Sequence, residues 1–241
     1  MSGGLDVNPA AGLSVSSVAW LPCHRLIASR FPTVGLYDQV AAPEDLDVVF
    51  AIEALTNPRV RQELGQLSLV PPADRVAGPG ATLIMAAFTH LNPLGSRFSD
   101  GSWGVYYAAE SLETAVAEVS YHRGTFLART AEEAIDIDLR WIQAELMEKF
   151  HDLRGQGASM PAVYDPDRYG ASQDLGRALR SRNSPGIVYD SVRRRDEQSG
   201  QCVAIFKPKA LGNARATGHI GLHWDGRAIS HWFEKGAPHA V

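Results

Sequence analysis

Little in this chain favours export, membrane insertion or the binding of polyanions. It has two cysteines in 241 residues, which excludes the disulfide framework of small secreted domains. No apolar run approaches the ~20 residues of a membrane-spanning helix, and the N-terminus has no basic segment followed by an apolar one. Lys and Arg number 23 against 27 Asp and Glu, so no global positive field attracts nucleic acid. We expect a cytoplasmic protein that by itself binds neither membranes nor nucleic acid.

The length and the 45% hydrophobic content suit one large core. Strand-like and helix-like segments are interleaved without a regular βαβ repeat, which predicts a single mixed α+β domain over residues 1–241.

The most informative segment is 95–122. Its glycine-rich loop contains Arg97 and leads into a short apolar strand with Tyr107. Ser111 is well placed to cap the helix that follows, and the apolar residues of that helix recur every three to four positions. Glu118 lies beside the centre of this apolar face. An Arg, a Tyr and a Glu are therefore predicted within one loop, strand and helix unit, which is typical of a dinucleotide site.

Further elements are predicted from periodicity and from turn residues. They are an extended segment at 15–27, a helix at about 43–55, a strand or buried helix at 82–88, a strand at 134–139, a short helix at 143–150, a helix at 169–182, and strands at 186–189 and 202–206.

Four pieces of the sequence, in this order and spacing, resemble the RES domain. They are GSRF at 95–98, YYA at 106–108, AVAE at 115–118, and GIVYDS at 186–191 with CVAIF behind it. The family is named for an Arg, a Glu and a Ser. The residues that correspond to these are Arg97, Glu118 and Ser191, and the family's active-site Tyr corresponds to Tyr107.

The resemblance covers about residues 24–208. An earlier Arg of the family is best matched by Arg25, with Arg30 as its competitor. The long stretch between either of them and Arg97 departs from the smaller members. It predicts that residues 43–80 are a helical elaboration of the domain.

The resemblance implies a fold similar to that of the ADP-ribosyltransferases, a mixed sheet with flanking helices. It also implies the toxin of a bacterial toxin–antitoxin module, with an Xre-type antitoxin as its partner. Family members cleave NAD at the nicotinamide–ribose bond and pass ADP-ribose to water or phosphate, or transfer ADP-ribose to a cellular protein. NAD would be the substrate, and no metal is implied.

The residue types suit that chemistry on physical grounds. Loss of nicotinamide develops positive charge on the ribose, so a carboxylate such as Glu118 stabilises the transition state more than the ground state. Arg25 and Arg97 offer forked donors to a pyrophosphate. The Tyr107 ring can stack on nicotinamide, and Ser191 can orient a ribose or phosphate oxygen.

Other interpretations stay open from sequence alone. Arg97 can be a loop residue paired with Asp100, and the whole chain can be a catalytically silent module that binds only a partner or a nucleotide. His219 and His223, four residues apart, are a weak candidate for a metal pair without further ligands. The run of arginines at 193–195 is flanked by acidic residues and suits an exposed loop or a phosphate contact better than RNA or DNA.

Overall fold

A computed structural model describes residues 12–29, 36–40, 42–49, 65–194 and 199–236. Its strands are β1 (Val15–Ala28), β2 (Tyr106–Ala109), β3 (Ile135–Asp152), β4 (Gly186–Asp190), β5 (Gln201–Ile205), β6 (Leu211–Trp224) and β7 (Ile229–Glu234). Its helices are α1 (Leu36–Gln39), α2 (Ala81–Thr89), α3 (Leu112–Leu127) and α4 (Gly170–Ser181). The seven strands form one mixed sheet, so the predicted α+β class is confirmed.

The strand order is β1-β2-β5-β4-β3-β6-β7, with a further pairing of β1 to β3. Strands β1, β2, β5, β4 and β3 therefore form a closed ring of pairings, and β6 and β7 continue outward from β3. Every pair is antiparallel except β3 with β4. The strand order places Arg25 on β1 beside β2, the strand of Tyr107, and Ser191 just after β4, which β5 separates from β2.

Helices cover both faces of the sheet. The apolar residues of α2 share a core with inward residues of all five ring strands, such as Cys23, Tyr106 and Phe150. On the other face, α4 packs over β4 and β5, and α3 packs over β3 and β6. Alternation along β2 therefore directs Tyr106 toward α2 and Tyr107 toward the α3 and α4 face. The candidate residues Tyr107 and Glu118 belong to this second face.

Helix α3 forms where the sequence predicts it. Ser111 has extended backbone angles, and its hydroxyl accepts a hydrogen bond from the Thr114 N–H at 3.2 Å. Leu112, Ala115 and Val116 are buried against the sheet. The predicted strand at 15–27, the helix at 169–182 and the strands at 186–189 and 202–206 are also confirmed, within one or two residues. The segment at 82–88, for which the sequence suits either a strand or a buried helix, is helical.

The helix predicted at 143–150 is wrong, because β3 continues without interruption through this segment. Apolar residues on β3 face α3 at Leu139 and Trp141, and then face α2 from Ala144 to Phe150. This change of face interrupts the simple alternation of a strand and leaves Leu146 and Phe150 at helix-like spacing. Pairing with both β1 and β6 overrides the local helix propensity.

The stretch predicted as a helical elaboration, 43–80, is described in part. Residues 46–49 are helical, 50–64 lie outside the described residues, and short 3₁₀ turns cover 67–69 and 72–74. Leu46, Leu67 and Val70 are buried in the α2 core. Arg75 fixes this stretch by donating to the Val70 carbonyl and to the Asp47 carboxylate, each at 2.9 Å.

Gly176 of α4 allows that helix to approach the loop that contains Arg97. A Cβ atom at Gly176 would lie 2.1 Å from the Phe98 carbonyl oxygen. We therefore expect Gly176→Ala to lower the free energy of unfolding by about 1–3 kcal/mol. Gly170→Ala is the matched control, since Gly170 has open space around it in the same helix. Urea denaturation of both variants measures the effect, and equal stability of the two would show that the approach is not tight.

Candidate active site

Glu118 and Ser191 meet directly, although 73 residues separate them. The Ser191 hydroxyl donates to Glu118 Oε1 at 2.6 Å. The same hydroxyl accepts the backbone N–H groups of Arg193 and Arg194, each at 3.1 Å. The turn after β4 therefore fixes the hydroxyl, and the hydroxyl fixes the carboxylate on α3.

Cys202 of β5 is a second neighbour of this carboxylate. Its sulfur lies 3.8 Å from Glu118 Oε1, on the strand next to β4. Burial, with the nearby Glu118 charge, raises the pKa of the Cys202 thiol well above its usual range, so the thiol stays protonated and can donate. Both contacts fall on Oε1, and no described residue donates a hydrogen bond to Oε2.

Arg97 is buried, with 8% of its surface exposed. Its Nη1 donates to the carbonyls of Val163 at 3.2 Å and Asp165 at 3.0 Å, and its guanidinium lies 4.8 Å from the centre of the Tyr169 ring. Asp100, the partner expected of an ordinary loop arginine, pairs instead with Arg177. Arg97 is therefore held by main-chain carbonyls and an aromatic ring, and within the described parts of the chain no carboxylate forms an ion pair with it.

The hydroxyl of Tyr107 has a structural role. The phenol oxygen accepts the Phe98 N–H at 3.0 Å and shares a hydrogen bond with the Ser96 hydroxyl at 2.8 Å. Burial raises the pKa of Tyr107 to about 12, so the phenol is neutral. The hydroxyl fixes the loop that contains Arg97. The ring of Tyr107 is the part of the side chain that can contact a ligand.

Tyr189 of β4 lies among these groups. Burial raises the pKa of Tyr189 well above its usual range; Cys202, Glu118 and Tyr107 add to the effect, and the positive charge of Arg97 opposes it. The Tyr189 ring packs edge-on against Phe98, the residue that follows Arg97, with 5.1 Å between the ring centres.

Arg25 has different contacts. Its Nη1 donates to the Tyr107 carbonyl at 3.0 Å, and its guanidinium lies 4.3 Å from the centre of the Tyr106 ring. These contacts are with β2 and not with Glu118, Ser191 or Arg97. A substrate role for Arg25 stays a prediction, and Arg30 lies outside the described residues.

Three further residues belong to this region, and their roles were not recognised from sequence. His122 lies one helical turn after Glu118, where local desolvation lowers the pKa of its ring and the charges of Arg193 and Arg97 add to this effect. Arg193 lies over the ring of Tyr121, with 3.2 Å between the guanidinium carbon and the ring centre. The sequence contained one signal for two of them: residues 121 and 122 lie three and four positions after Glu118 on a predicted helix, so they share its face.

The arginines at 193 and 194 do not form an exposed basic surface. The Arg193 side chain is only 6% exposed, and Arg194 donates to the hydroxyls of Ser111 and Thr114 at the start of α3. Arg195 lies outside the described residues. Both described guanidinium groups face helix α3, which favours an internal role over contact with RNA or DNA.

The histidine pair considered as a metal site lies on β6, in a different setting. His223 Nδ1 is 2.7 Å from the Asp136 carboxylate, and its ring stacks on His231. Within the described ranges, no group of three or more His, Cys, Asp or Glu side chains has the arrangement of a metal site.

A shallow cavity of about 150 Å³ lies elsewhere, between Trp103, Arg180 and Lys207. It shares no lining residue with the cluster around Glu118. This cavity is therefore not part of the candidate active site.

The model of the RES domain matches residues 72–225, which include Arg97, Tyr107, Glu118 and Ser191. The chain belongs to the RES domain family. It is 32% identical over 209 residues to the uncharacterized protein y4oC of Sinorhizobium fredii (strain NBRC 101917 / NGR234), covering 86% of this chain and 84% of that protein.

A more distant similarity links this RES protein to a chain of the M. tuberculosis MbcT–MbcA toxin–antitoxin complex. The two are 12% identical with a TM-score of 0.44, and the match covers 89% of this chain and 94% of the other. Among the described helices of this RES protein, none is both long and apolar enough to cross a bilayer.

The protonated state of the two cysteines is directly testable. Cys202 and Cys23 are both buried, and burial raises the pKa of the Cys23 thiol to about 12. Because the thiolate is the reactive form, we expect no alkylation of either by iodoacetamide at pH 8 in the folded protein. Both should react fully after unfolding in guanidinium, as measured by intact mass. Rapid labelling of Cys202 in the folded state would contradict its placement.

Proposed function

We propose that this RES protein cleaves NAD at the nicotinamide–ribose bond and acts as the toxin of a toxin–antitoxin module. The observation that carries the proposal is the bond from the Ser191 hydroxyl to Glu118, together with a buried arginine that forms no ion pair with any described carboxylate. An anionic group and a cationic group held at fixed positions suit a substrate that combines a ribose with a pyrophosphate.

The reaction places a specific demand on Glu118. When the C1′–N bond breaks, its electron pair leaves with neutral nicotinamide, and the ribose gains oxocarbenium character. The free Oε2 of Glu118 is available to a ribose hydroxyl or to the developing positive charge, while Ser191 and Cys202 hold Oε1. A carboxylate that is already oriented needs no reorganisation during the reaction, which is the main source of electrostatic catalysis.

Arg97 supplies the phosphate contact in this proposal. Its Nη1 donates to the carbonyls of Val163 and Asp165. No described residue accepts from its Nη2 or Nε, and in this proposal these nitrogens bind a pyrophosphate oxygen. Charge-assisted bonds of this kind are about twice as strong as neutral ones. The Tyr107 ring, on the same side of the sheet, would stack against the nicotinamide.

The acceptor of the ADP-ribosyl group is water or inorganic phosphate. The C1′ atom then bonds to an oxygen of the acceptor, and the acceptor loses a proton where it carries one. The alternative is transfer to a nucleophilic side chain of a cellular protein by the same cleavage step. A silent binding module would break no bond in NAD.

Incubation with NAD labelled in its adenylate portion distinguishes these outcomes. The wild-type protein is supplied with NAD alone, with inorganic phosphate and with cell extract, and free products are separated from labelled protein. Free ADP-ribose or its phosphate supports the main proposal, and labelled protein supports the alternative. Intact NAD under all three conditions rejects the enzymatic proposal.

Removing the charge of Glu118 should abolish most of the NAD cleavage. We expect Glu118→Gln to keep the fold and to lower kcat by about 10²- to 10³-fold, the size of effect typical of losing one oriented electrostatic group. Glu113→Gln is the matched control, because Glu113 is an exposed residue in the first turn of the same helix. Nicotinamide release measures both. Near-normal turnover of the Glu118 variant would remove Glu118 from the mechanism.

The toxin role rests on family membership and on the cost of unregulated NAD loss to a cell. We expect expression of the chain alone to arrest growth as cellular NAD falls. Glu118→Gln should be harmless, and co-expression of the protein encoded by the adjacent reading frame, an Xre-type antitoxin in this proposal, should restore growth. Growth and NAD content are followed together. Harmless expression of active protein without a partner would reject the toxin role and leave the NAD chemistry intact.

A further inference from the structure

Arg193 is a buried arginine near the candidate site. It follows Ser191 by two residues, and its side chain is 6% exposed. Its guanidinium carbon lies 3.2 Å from the centre of the Tyr121 ring, an arrangement favourable to a cation. Tyr121 belongs to the helical turn of α3 that follows Glu118. The side chain is thereby fixed against the helix that carries the carboxylate.

The same guanidinium of Arg193 also holds a different part of the chain, residues 163–169. Its Nη2 donates to the Pro166 carbonyl, and it lies 3.7 Å from the Asp167 carboxylate. The Tyr121 hydroxyl donates to the same carboxylate at 2.5 Å. Arg193 and Tyr121 thus bind one segment together.

That segment is also the one that holds Arg97. The Val163 and Asp165 carbonyls accept from Arg97 Nη1, and the Tyr169 ring lies beside the Arg97 guanidinium. One short segment therefore contacts the proposed phosphate-binding arginine and Arg193 at the same time.

The main chain of Arg193 completes the connection. Its N–H donates to the Ser191 hydroxyl, which in turn donates to Glu118. Arg193 therefore contacts the carboxylate half of the site through its backbone, and through its side chain it contacts the segment on which Arg97 rests.

We propose that Arg193 is a positioning residue that sets the distance between Arg97 and Glu118 by fixing the 163–169 segment against α3. This inference rests on the proposed cleavage of NAD, because its functional consequence is the placement of the pyrophosphate relative to the scissile bond. Arg193 itself needs no contact with the substrate for this role.

Removal of the side chain separates the two halves of the site. In Arg193→Ala the backbone N–H that supports Ser191 remains, so the Glu118 half stays assembled. The 163–169 segment loses its cationic partner, and Arg97 loses its fixed position. We therefore expect the KM for NAD to rise about tenfold, as for loss of one charge-assisted contact, while kcat changes by less than about threefold.

Hydrogen exchange tests the structural part without relying on activity. We expect the backbone amides of 163–169 to exchange at least about tenfold faster in Arg193→Ala than in the wild-type protein. Arg194→Ala is the matched control, because Arg194 also donates its backbone N–H to Ser191 but sends its side chain to Ser111 and Thr114. Exchange at 163–169 should stay at the wild-type rate in that control. Equal exchange in all three proteins would overturn the proposal.

Tyr121→Phe gives a milder second test, and it decides the matter if Arg193→Ala does not fold. It keeps the ring under Arg193 and removes only the bond to Asp167, so a smaller increase in exchange and in KM is expected. Faster exchange with an unchanged KM would overturn the positioning role. If the wild-type protein leaves NAD intact, the proposed function fails, and exchange at 163–169 alone decides whether Arg193 fixes the segment.

Discussion

Strand β3 is the constraint on which the rest of the molecule depends. It is 18 residues long and pairs with β1, β4 and β6. Its Leu139 end packs under α3 and its Phe150 end under the α2 core. A shift of register by one residue would exchange these two faces, so the cores on both sides of the sheet fix the register. Positions of β1 and β4, and of the site residues on them, follow from that register.

The site is assembled by long-range contacts between short segments. Glu118 depends on a hydroxyl 73 residues away, and Arg97 depends on carbonyls 66 and 68 residues away. The strand order makes these contacts possible, because β5 pairs with both β2 and β4. Each polar side chain gains its orientation from a different part of the chain, which is how a rigid scaffold positions reactive groups on loops.

Local signals predicted much of this fold. The cap at Ser111 and the apolar repeat behind it were sufficient for α3, since both act within a few residues. Strand β3 was predicted only in its first part, because the apolar residues change face near Trp141 and the alternation ends there. Such a change is set by which cores lie on either side of the sheet, and a single sequence does not contain that information. The open choice at 82–88 has the same origin, since apolar runs of that length suit either structure.

Less of the candidate site than of the fold was predictable from the sequence. The order and spacing of the motifs predicted four site residues, Arg97, Tyr107, Glu118 and Ser191. The structure places Glu118 and Ser191 in contact. The carbonyls that hold Arg97 carry no side-chain signature, so their role was invisible in the sequence. Arg193 was visible only as one member of a basic run, because its burial depends on Tyr121 and Pro166, which lie far from it along the chain.

The acceptors for Arg97 and Arg193 are main-chain oxygens of Val163, Asp165 and Pro166. A main-chain acceptor remains when its side chain is exchanged, so the path of this segment matters more than its composition. Substitutions at the half-buried positions 165 and 166 would leave both arginines bound as long as the backbone path is kept. The surface that such a protein presents to the outside is thereby free to diversify while its cationic interior stays the same.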